Sequence, residues 1–345
     1  MKALVKRRAE PGLWLEEVPV PECASHEVRI RVRYASLCGT DLHIVSWDQW
    51  AQANVRVPRI IGHELMGTIE AVGDQVAERR HGERVSVEGH VVCGHCRNCR
   101  AGRRHLCQSA VGIGIGRDGA FAERVVVPES NVFVLPDTVP DRLGSCFDPL
   151  GNAVHTALSF DLHGEDVLIT GAGPIGLMAC ALCRFVGARH VVVTDVNEYR
   201  LALARAMGAT RAVDPRAEPL DGVMRELGMH EGFDVGLEMS GHGEALREML
   251  RLMIHGGHVA LLGIGGGEIS TDWNQVIFKG LQLKGIYGRE MYETWYKMTT
   301  LLQAGLDVSK VITHVLPAAE FAEAFDLVRS GRCGKVLLDW TAWSA

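Results

Sequence analysis

The chain has 345 residues, of which 47% are hydrophobic and 23% are charged, and its formal net charge is −6 at pH 7. This length supports two sizeable cores, while the acidic balance disfavours a nucleic-acid partner, whose phosphates attract a basic face. The first residues lack the apolar segment of a signal peptide, and no apolar run approaches the roughly 18 residues that cross a bilayer. We therefore expect a cytoplasmic protein with no membrane partner, in which the ten cysteines are metal ligands, core residues or free thiols rather than disulfides.

Residues 1 to about 150 alternate short β-type runs with turns, as in EVRIRVRYA, GTIEAVG and RVSVEGHVV. This pattern predicts a β-rich, partly antiparallel domain. Cys38 follows the first run, within Cys-Gly-Thr-Asp-Leu-His, and Gly62-His63-Glu64 comes later. A thiolate, an imidazole and a carboxylate can hold zinc while leaving one position open for water or an alcohol. Taken alone, Cys38 also suits a small buried hydrophobe and His63 a core histidine, but the dinucleotide fold predicted downstream favours a catalytic metal.

Four cysteines, Cys93, Cys96, Cys99 and Cys107, have the spacing C-x2-C-x2-C-x7-C. Thiolates this close can surround one ion tetrahedrally, so a structural zinc lobe is predicted over about residues 90–110. An iron–sulfur site would also use clustered cysteines, but the bacterial ferredoxin run ends in C-x3-C-P, whereas Gln108 follows here. Four thiolates close the coordination shell, so a catalytic metal needs a separate site.

From about residue 165, strand and helix patterns alternate, which predicts a doubly wound parallel sheet. The strand DVLIT leads into Gly171-Ala-Gly173-Pro-Ile-Gly176, which opens an apolar helix. These glycines permit a tight turn, a close approach of pyrophosphate and close helix–strand packing. Asp195 ends the next strand, where a carboxylate accepts hydrogen bonds from ribose hydroxyls and repels a 2′-phosphate, so NAD is favoured over NADP.

Two other glycine clusters are weaker signals. Gly114, Gly116 and Gly119 repeat the nucleotide-turn spacing, but a strand-like AFAERVVV follows them, which predicts a loop without a helix dipole. Gly263–Gly267 ends a strand, where it suits either the nicotinamide pocket or a plain turn. The chain then continues with an amphipathic stretch, EMYETWYKMTTLLQAG, and a last strand, GKVLLDW.

The order of these motifs resembles the zinc-dependent medium-chain dehydrogenase/reductase family over essentially the whole chain. A finer resemblance, to members that oxidise L-threonine, is carried by the segments FDPLGNAVHT (147–156), VIFKG (276–280), KGIYGREM (284–291) and ETWYKM (293–298). The resemblance implies a GroES-like catalytic domain over 1–150, a Rossmann NAD-binding domain over 151–290, and a segment, 291–345, that returns to the catalytic domain. The active site would lie in the cleft between the domains, with two zinc ions per subunit of a homotetramer.

The resemblance also implies a role for each site residue. Cys38 and His63 would ligate the catalytic zinc, and Glu64 would ligate it or lie just behind. Asp148 suits either coordination or a proton-relay role, and Thr40 and His43 would carry the proton to solvent. A helix cap and a surface histidine are the alternatives for Thr40 and His43. The implied NAD contacts are Gly171, Gly173, Ile175, Gly176, Asp195, Arg200, Leu262, Gly263, Ile264, Ile286 and Tyr287.

The implied reaction is oxidation of L-threonine to 2-amino-3-oxobutanoate, with hydride transfer to NAD, in amino-acid degradation. One alternative is a polyol or 2,3-butanediol dehydrogenase of the same family, against which the finer segments argue. A non-catalytic nucleotide-binding regulator, or a zinc-free quinone-reductase-type relative, should have lost the open-site ligands. Cys38, His63 and Glu64 are all present, which favours the enzyme.

Overall fold

The computed structural model describes residues 1–343. The strands in this range are β1 (Lys2–Lys6), β2 (Trp14–Glu17), β3 (Glu27–Ser36), β4 (Arg59–Ile60), β5 (Glu64–Val72), β6 (Arg84–Val87), β7 (His90–Val91), β8 (Val111–Gly112), β9 (Arg124–Pro128), β10 (Val132–Val134), β11 (Asp166–Thr170), β12 (His190–Thr194), β13 (Arg211–Val213), β14 (Phe233–Glu238), β15 (Met253–Leu261), β16 (Gln282–Gly285), β17 (Ile312–Pro317) and β18 (Lys335–Asp339). The α-helices are α1 (Gly39–Ser46), α2 (Gln49–Asn54), α3 (Arg97–Arg100), α4 (Asp141–Gly144), α5 (Phe147–Ala157), α6 (Pro174–Phe185), α7 (Glu198–Ala206), α8 (Leu220–Glu226), α9 (Gly243–Leu252), α10 (Trp273–Lys279), α11 (Glu293–Gln303) and α12 (Phe321–Ser330). None of these described helices has both the length and the apolar composition that crossing a membrane requires.

The chain forms two compact units. Among the described residues, the first comprises 1–148, 290–295 and 312–343, and the second comprises 149–289 and 296–311. The predicted division instead assigned the whole of 291–345 to the catalytic domain. Residues 296–311 group with the second unit because the turn that ends at the buried Val311 packs against α6 and α7 and the Lys310 ammonium donates to the Ala206 carbonyl at 3.0 Å.

The first unit is built on mixed, mostly antiparallel sheets. Its main sheet has the order β10-β6-β5-β3-β18-β17, with β9 also paired to β3, and smaller sheets are β2-β1-β4 and β7-β8. Along β3, Val28, Ile30 and Val32 are fully buried and alternate with arginines, as a half-buried strand requires. The prediction of a β-rich, partly antiparallel domain is confirmed.

The second unit is a six-stranded parallel sheet with the order β13-β12-β11-β14-β15-β16. All five residues of β11 are buried, as expected for a parallel strand covered on both faces. The strand order reverses between β11 and β14, and ligands of doubly wound sheets bind at the carboxyl ends of the strands at such a switch point. The predicted doubly wound fold is confirmed, and its switch point lies at the glycine-rich turn after β11.

Candidate active site

Three ligand-type side chains converge in the first unit. Cys38 caps the N-terminus of α1 directly after β3, and Glu64 begins β5, opposite Ser36 of β3 in the sheet register. One ligand atom each from Cys38, His63 and Glu64 lies within 4.8 Å of the other two. Sulfur, imidazole nitrogen and carboxylate oxygen form a donor set typical of catalytic zinc, which keeps an open position.

The His63 ring has a buried nitrogen that lacks a hydrogen-bond partner. This atom, Nδ1, lies 3.9 Å from Oδ1 of the fully buried Asp41, and that oxygen also lacks a hydrogen-bond partner. Burial favours the neutral ring, but the negative charges of Cys38, Asp41 and Asp148 raise the pKa of His63 to about 10. Burial also raises the pKa of Asp41 to about 6. A metal-binding histidine commonly directs its second nitrogen to a carboxylate, so these buried atoms fit a cation held through His63.

Asp41 is a site residue that the sequence reasoning did not single out. Its side chain accepts a hydrogen bond from the Cys38 backbone N–H at 2.9 Å, which fixes the first turn of α1. The signal was present in the motif Cys38-Gly-Thr-Asp41, where the carboxylate stands three residues after a cap position. Asp41 therefore links the position of Cys38 to that of His63.

Glu64 is held from behind by buried groups. Its Oε2 accepts a hydrogen bond from Ser36 Oγ and pairs with the ammonium of Lys335 on β18. Lys335 is itself buried and donates to the Leu37 carbonyl at 2.7 Å. Burial opposes its charge, but Glu64, Cys38 and Cys146 raise the pKa of Lys335 above its ordinary value. The sequence offered no sign of this partner, because a lysine at the start of a strand is ordinarily exposed.

Asp148 and the two relay candidates lie around this trio. Asp148 is buried, and its charge acts on His63, but it does not belong to the group whose ligand atoms share the 4.8 Å limit. Thr40 Oγ1 lies 3.7 Å from Cys38 Sγ. His43, one turn later on α1, is exposed, and its Nδ1 lies 2.5 Å from Asp48 Oδ2. The N-cap of α1 is Cys38, so Thr40 is not the cap residue.

The glycine-rich loop at 114–119 packs against the candidate zinc site. Its sequence pattern lacks the following helix that a nucleotide-binding turn requires. It is a turn region followed by β9, as the sequence predicted. A Cβ on Gly119 or Gly114 would lie 2.2 or 2.6 Å from the carbonyl oxygen of Gly62. Gly62 has φ +88° and precedes His63. The glycines are therefore needed for close packing of this loop against the backbone that carries His63.

The four-cysteine segment forms a separate cluster. Ligand atoms of Cys93, Cys96, Cys99 and Cys107 lie within 4.8 Å of one another, between the paired strands β7 and β8. Backbone N–H groups of Cys93 and Cys96 point at the sulfurs of Cys107 and Cys93, each at 3.4 Å. Backbone donation from the Cys99 region lowers the pKa of Cys96 to about 6. Four convergent thiols with N–H···S contacts fit a closed structural zinc site.

The nucleotide turn lies in the second unit, after β11. Gly171 has φ +90°, and a Cβ on Gly176 would lie 2.0 Å from the Gly171 carbonyl oxygen. Gly173 caps α6, whose first position is Pro174, and the half-buried Ile175 follows. The turn therefore has the close approach and the helix N-terminus that bind a pyrophosphate.

A cavity of about 500 Å³ opens beside this turn and is lined in part by Gly171, Asp195 and Arg200. Asp195 accepts from the Ala172 N–H at 2.8 Å and from the Asn197 N–H at 2.9 Å, which fixes its carboxylate at the end of β12. The Arg200 Nη1 lies 4.0 Å from Asp195 Oδ2, and its Nε is buried without a partner. The carboxylate and the guanidinium are therefore both available at the predicted adenosine end.

The predicted nicotinamide residues follow the ends of β15 and β16. The N–H groups of Leu262 and Gly263 donate to the Glu238 carbonyl at 2.9 and 3.0 Å, and the Ile286 N–H donates to Leu261 at 2.9 Å. The side chains of Ile264 and Tyr287 are exposed, at 95% and 55%. Apolar, accessible side chains at the carboxyl edge of the sheet suit the face of a planar ring.

Comparison with known proteins agrees with this geometry. Residues 24–137 match the family model "Alcohol dehydrogenase GroES-like domain", and residues 174–304 match "Zinc-binding dehydrogenase". The L-threonine 3-dehydrogenase of Anaeromyxobacter sp. (strain Fw109-5) is 63% identical over 341 residues, which is 99% of each chain. That of Proteus mirabilis (strain HI4320) is 60% identical over 340 residues, covering 99% of this chain and 100% of the relative.

Among solved structures, an alcohol dehydrogenase from E. coli CFT073 in complex with NADH superposes with a TM-score of 0.90 at 30% identity, covering 99% of both chains. Galactitol-1-phosphate dehydrogenase from Escherichia coli superposes with a TM-score of 0.89 at 28% identity, over 98% of this chain and 100% of that one. The GroES-like catalytic fold, the doubly wound fold and the zinc- and NAD-dependent dehydrogenase class are thereby confirmed. The chain belongs to the zinc-dependent medium-chain dehydrogenase/reductase family, among the L-threonine 3-dehydrogenases that it resembles over its whole length.

Proposed function

We propose that this protein oxidises the β-hydroxyl of L-threonine, giving 2-amino-3-oxobutanoate and NADH. The observation that carries the proposal is the convergence of ligand atoms from the partly exposed Cys38 and His63 and the buried Glu64, in a chain 63% identical to an L-threonine 3-dehydrogenase. In this reaction the Cβ–H bond breaks and its electron pair leaves as hydride to NAD. The O–H proton leaves to solvent, and a carbonyl forms at Cβ.

We assign two zinc ions to each subunit. Cys38 and His63 hold the catalytic ion with Glu64, while Cys93, Cys96, Cys99 and Cys107 hold the structural one. At the open site, zinc supplies Lewis acidity, which makes a substrate hydroxyl more acidic near neutral pH. Asp41 orients the His63 ring from behind, and Lys335 fixes the carboxylate of Glu64.

The proton route uses side chains of α1. The Thr40 hydroxyl both donates and accepts hydrogen bonds, so it can take a proton and pass one on. His43 lies on the same face of the helix, three residues further, and its exposed imidazole releases the proton to water. Asp148, whose charge acts on His63, assists this proton transfer and is not a zinc ligand.

NAD is the hydride acceptor. The Asp195 carboxylate accepts hydrogen bonds from the adenosine ribose and would repel the 2′-phosphate of NADP. Arg200 contacts the adenosine. The pyrophosphate binds at the turn formed by Gly171, Gly173 and Gly176, and Ile175 packs beside it. Leu262, Gly263, Ile264, Ile286 and Tyr287 frame the nicotinamide. We place the reaction in the cytoplasm, where reducing conditions keep the cysteines available for zinc.

The deciding experiment measures NADH formation with L-threonine, sorbitol and 2,3-butanediol, with NAD and with NADP. We expect turnover of L-threonine with NAD to exceed the others by at least about 100-fold, because buried polar groups reject substrates that leave them unpaired.

Metal analysis before and after mild chelation should give two zinc ions per subunit and then one, and activity should be lost when the first zinc ion is released. Equal turnover of a polyol, or a single zinc in the active protein, would overturn the proposal.

Self-association is also proposed, as a homotetramer. β16 is the edge strand of the parallel sheet and pairs only with β15 in the described chain. Nearby in sequence, α10 exposes 60% of Trp273, 68% of Ile277 and 77% of Phe278. An open strand edge and a contiguous apolar helix face are features that proteins ordinarily cover, and a second copy offers the same surface in a symmetric contact.

A further inference from the structure

The relay histidine has a carboxylate partner that the proposed proton route does not yet use. His43 Nδ1 lies 2.5 Å from Oδ2 of Asp48, at the junction between α1 and α2. The Trp50 ring lies 6.1 Å from the His43 ring, at an angle of 54°. The imidazole is thus bordered by one carboxylate and one aromatic ring, while 58% of its side chain stays exposed.

Asp48 is held in place by its own backbone and by its other carboxylate oxygen. Oδ1 accepts from the Ala51 N–H at 3.0 Å, which makes Asp48 the N-cap of α2. Its N–H donates to the His43 carbonyl at 3.4 Å, and its carbonyl accepts from the Gln52 N–H at 2.9 Å. These contacts leave Oδ2 directed at His43. An N-cap needs only one side-chain oxygen, so the second contact is not explained by helix capping.

We propose that Asp48 is a positioning residue for proton transfer, which fixes the tautomer of His43. This inference rests on the proposed function. An ionised carboxylate only accepts hydrogen bonds, so Nδ1 of neutral His43 carries the proton and Nε2 keeps its lone pair. Nε2 is then the atom that accepts the proton from the Thr40 side, and Asp48 balances the positive charge of the resulting imidazolium until Nε2 releases its proton to water.

The replacement Asp48→Asn separates this role from capping. Asn caps helices about as well as Asp, and its single side-chain oxygen is needed by the Ala51 N–H. The amide NH₂ would then face His43 Nδ1 as a donor, which favours the tautomer with the proton on Nε2. Asp48→Ser keeps a capping oxygen but removes the partner of His43. Asp307→Asn is the matched control, since Asp307 likewise accepts a backbone N–H, from Ser309 at 2.8 Å.

We expect Asp48→Asn to lower kcat by about tenfold or more with KM for L-threonine within about twofold, since a positioned general base contributes about 10²- to 10⁴-fold. Asp48→Ser should lower kcat less than Asp48→Asn, and Asp307→Asn should leave both constants unchanged. In a His43→Ala background, Asp48→Asn should add nothing, because the two residues act as one unit. Added imidazole buffer should raise the kcat of Asp48→Asn.

A readout independent of turnover is the ¹⁵N spectrum of the histidine side chains, in which His43→Ala identifies the His43 signals. The wild-type ring should be protonated on Nδ1, and the Asp48→Asn ring on Nε2. The role of Asp48 would be refuted if Asp48→Asn left the His43 tautomer unchanged. It would also be refuted if Asp48→Asn lowered kcat equally in the wild type and in the His43→Ala variant. Absence of L-threonine turnover in the wild type would refute the proposed function instead, and the tautomer measurement would still decide on the dyad.

Discussion

Glu64, one of the candidate zinc ligands, forms an ion pair with Lys335, and 1% and 3% of their side chains are exposed. Each charge is costly in such a buried place unless the other compensates it. Ser36 and the Leu37 carbonyl satisfy the remaining hydrogen bonds. At the residue scale, the position of Glu64 therefore depends on a lysine from the last described strand of the chain.

Replacing Lys335 by Met should lower the free energy of unfolding by about 3–5 kcal/mol, because an uncompensated carboxylate stays buried. In the double variant Lys335→Met/Glu64→Gln, the free energy of unfolding should fall by clearly less than the sum of the decreases in the two single variants. Urea unfolding after mild chelation, which removes the charge of the open-site zinc from Glu64, measures both. Lys2→Met, which breaks the exposed pair with Glu17, is the control and should leave stability unchanged. A Lys335→Met protein as stable as the wild type would contradict the prediction.

At the element scale, Glu70 on β5 joins three strands. It contacts Arg29 and Arg31 of β3 at 2.9 and 2.8 Å and Arg124 of β9 at 3.0 Å. Partial burial works against ionisation, but hydrogen bonds from Arg31, Arg124 and Arg29 lower the pKa of Glu70 from 4.5 to about 2. The carboxylate thus stabilises the registers of β3–β5 and β3–β9 together.

Glu70→Gln should lower the free energy of unfolding by about 1–2 kcal/mol at pH 7, a value that allows for solvent screening of the partly exposed arginines. A lowered native pKa stabilises the fold only while the unfolded carboxyl is ionised. The difference in free energy of unfolding between wild type and Glu70→Gln should therefore have its full value above about pH 4.5, decrease below it, and vanish near pH 2. Denaturant unfolding at several pH values tests this, and a difference that grows on acidification would contradict it.

At the scale of the whole molecule, the second unit presents apolar surface that a monomer would leave in water. Ile277 and Phe278 are 68% and 77% exposed on α10, and β16 offers an unpaired strand edge. Burial of apolar side chains contributes about 25 cal/mol per Å², so covering this face favours association of copies.

If the proposed homotetramer forms through this face, Ile277→Asp combined with Phe278→Asp should reduce its mass, because a charge placed in an apolar contact must be desolvated without a partner. Light scattering coupled to size exclusion measures the mass directly. Val20→Asp alters a residue that is also exposed, at 42%, but lies outside this surface, and it should keep the wild-type mass. An unchanged mass in the α10 variant, or a monomeric wild type, would contradict the proposed self-association through this face.

Local patterns in the sequence were sufficient for much of the protein. The spacing of Cys93 to Cys107 predicts one closed metal site because its ligands are neighbours along the chain. The turn at Gly171–Gly176, with a strand before and a helix after, predicts the nucleotide site for the same reason. The continuous apolar strands, such as β11, also determine a parallel sheet, since only strands covered on both faces tolerate such runs.

Tertiary structure alone decided the features that join distant segments. Lys335 reaches Glu64 because β18 pairs with β3, and Gly114 and Gly119 pack against Gly62 because their loop lies beside the segment before His63. Residues 296–311 likewise belong with the second unit through contacts such as Lys310 to Ala206. Sequence periodicity records which side of an element is buried but not which element covers it, so the ligand types were predictable while the groups that hold them were not.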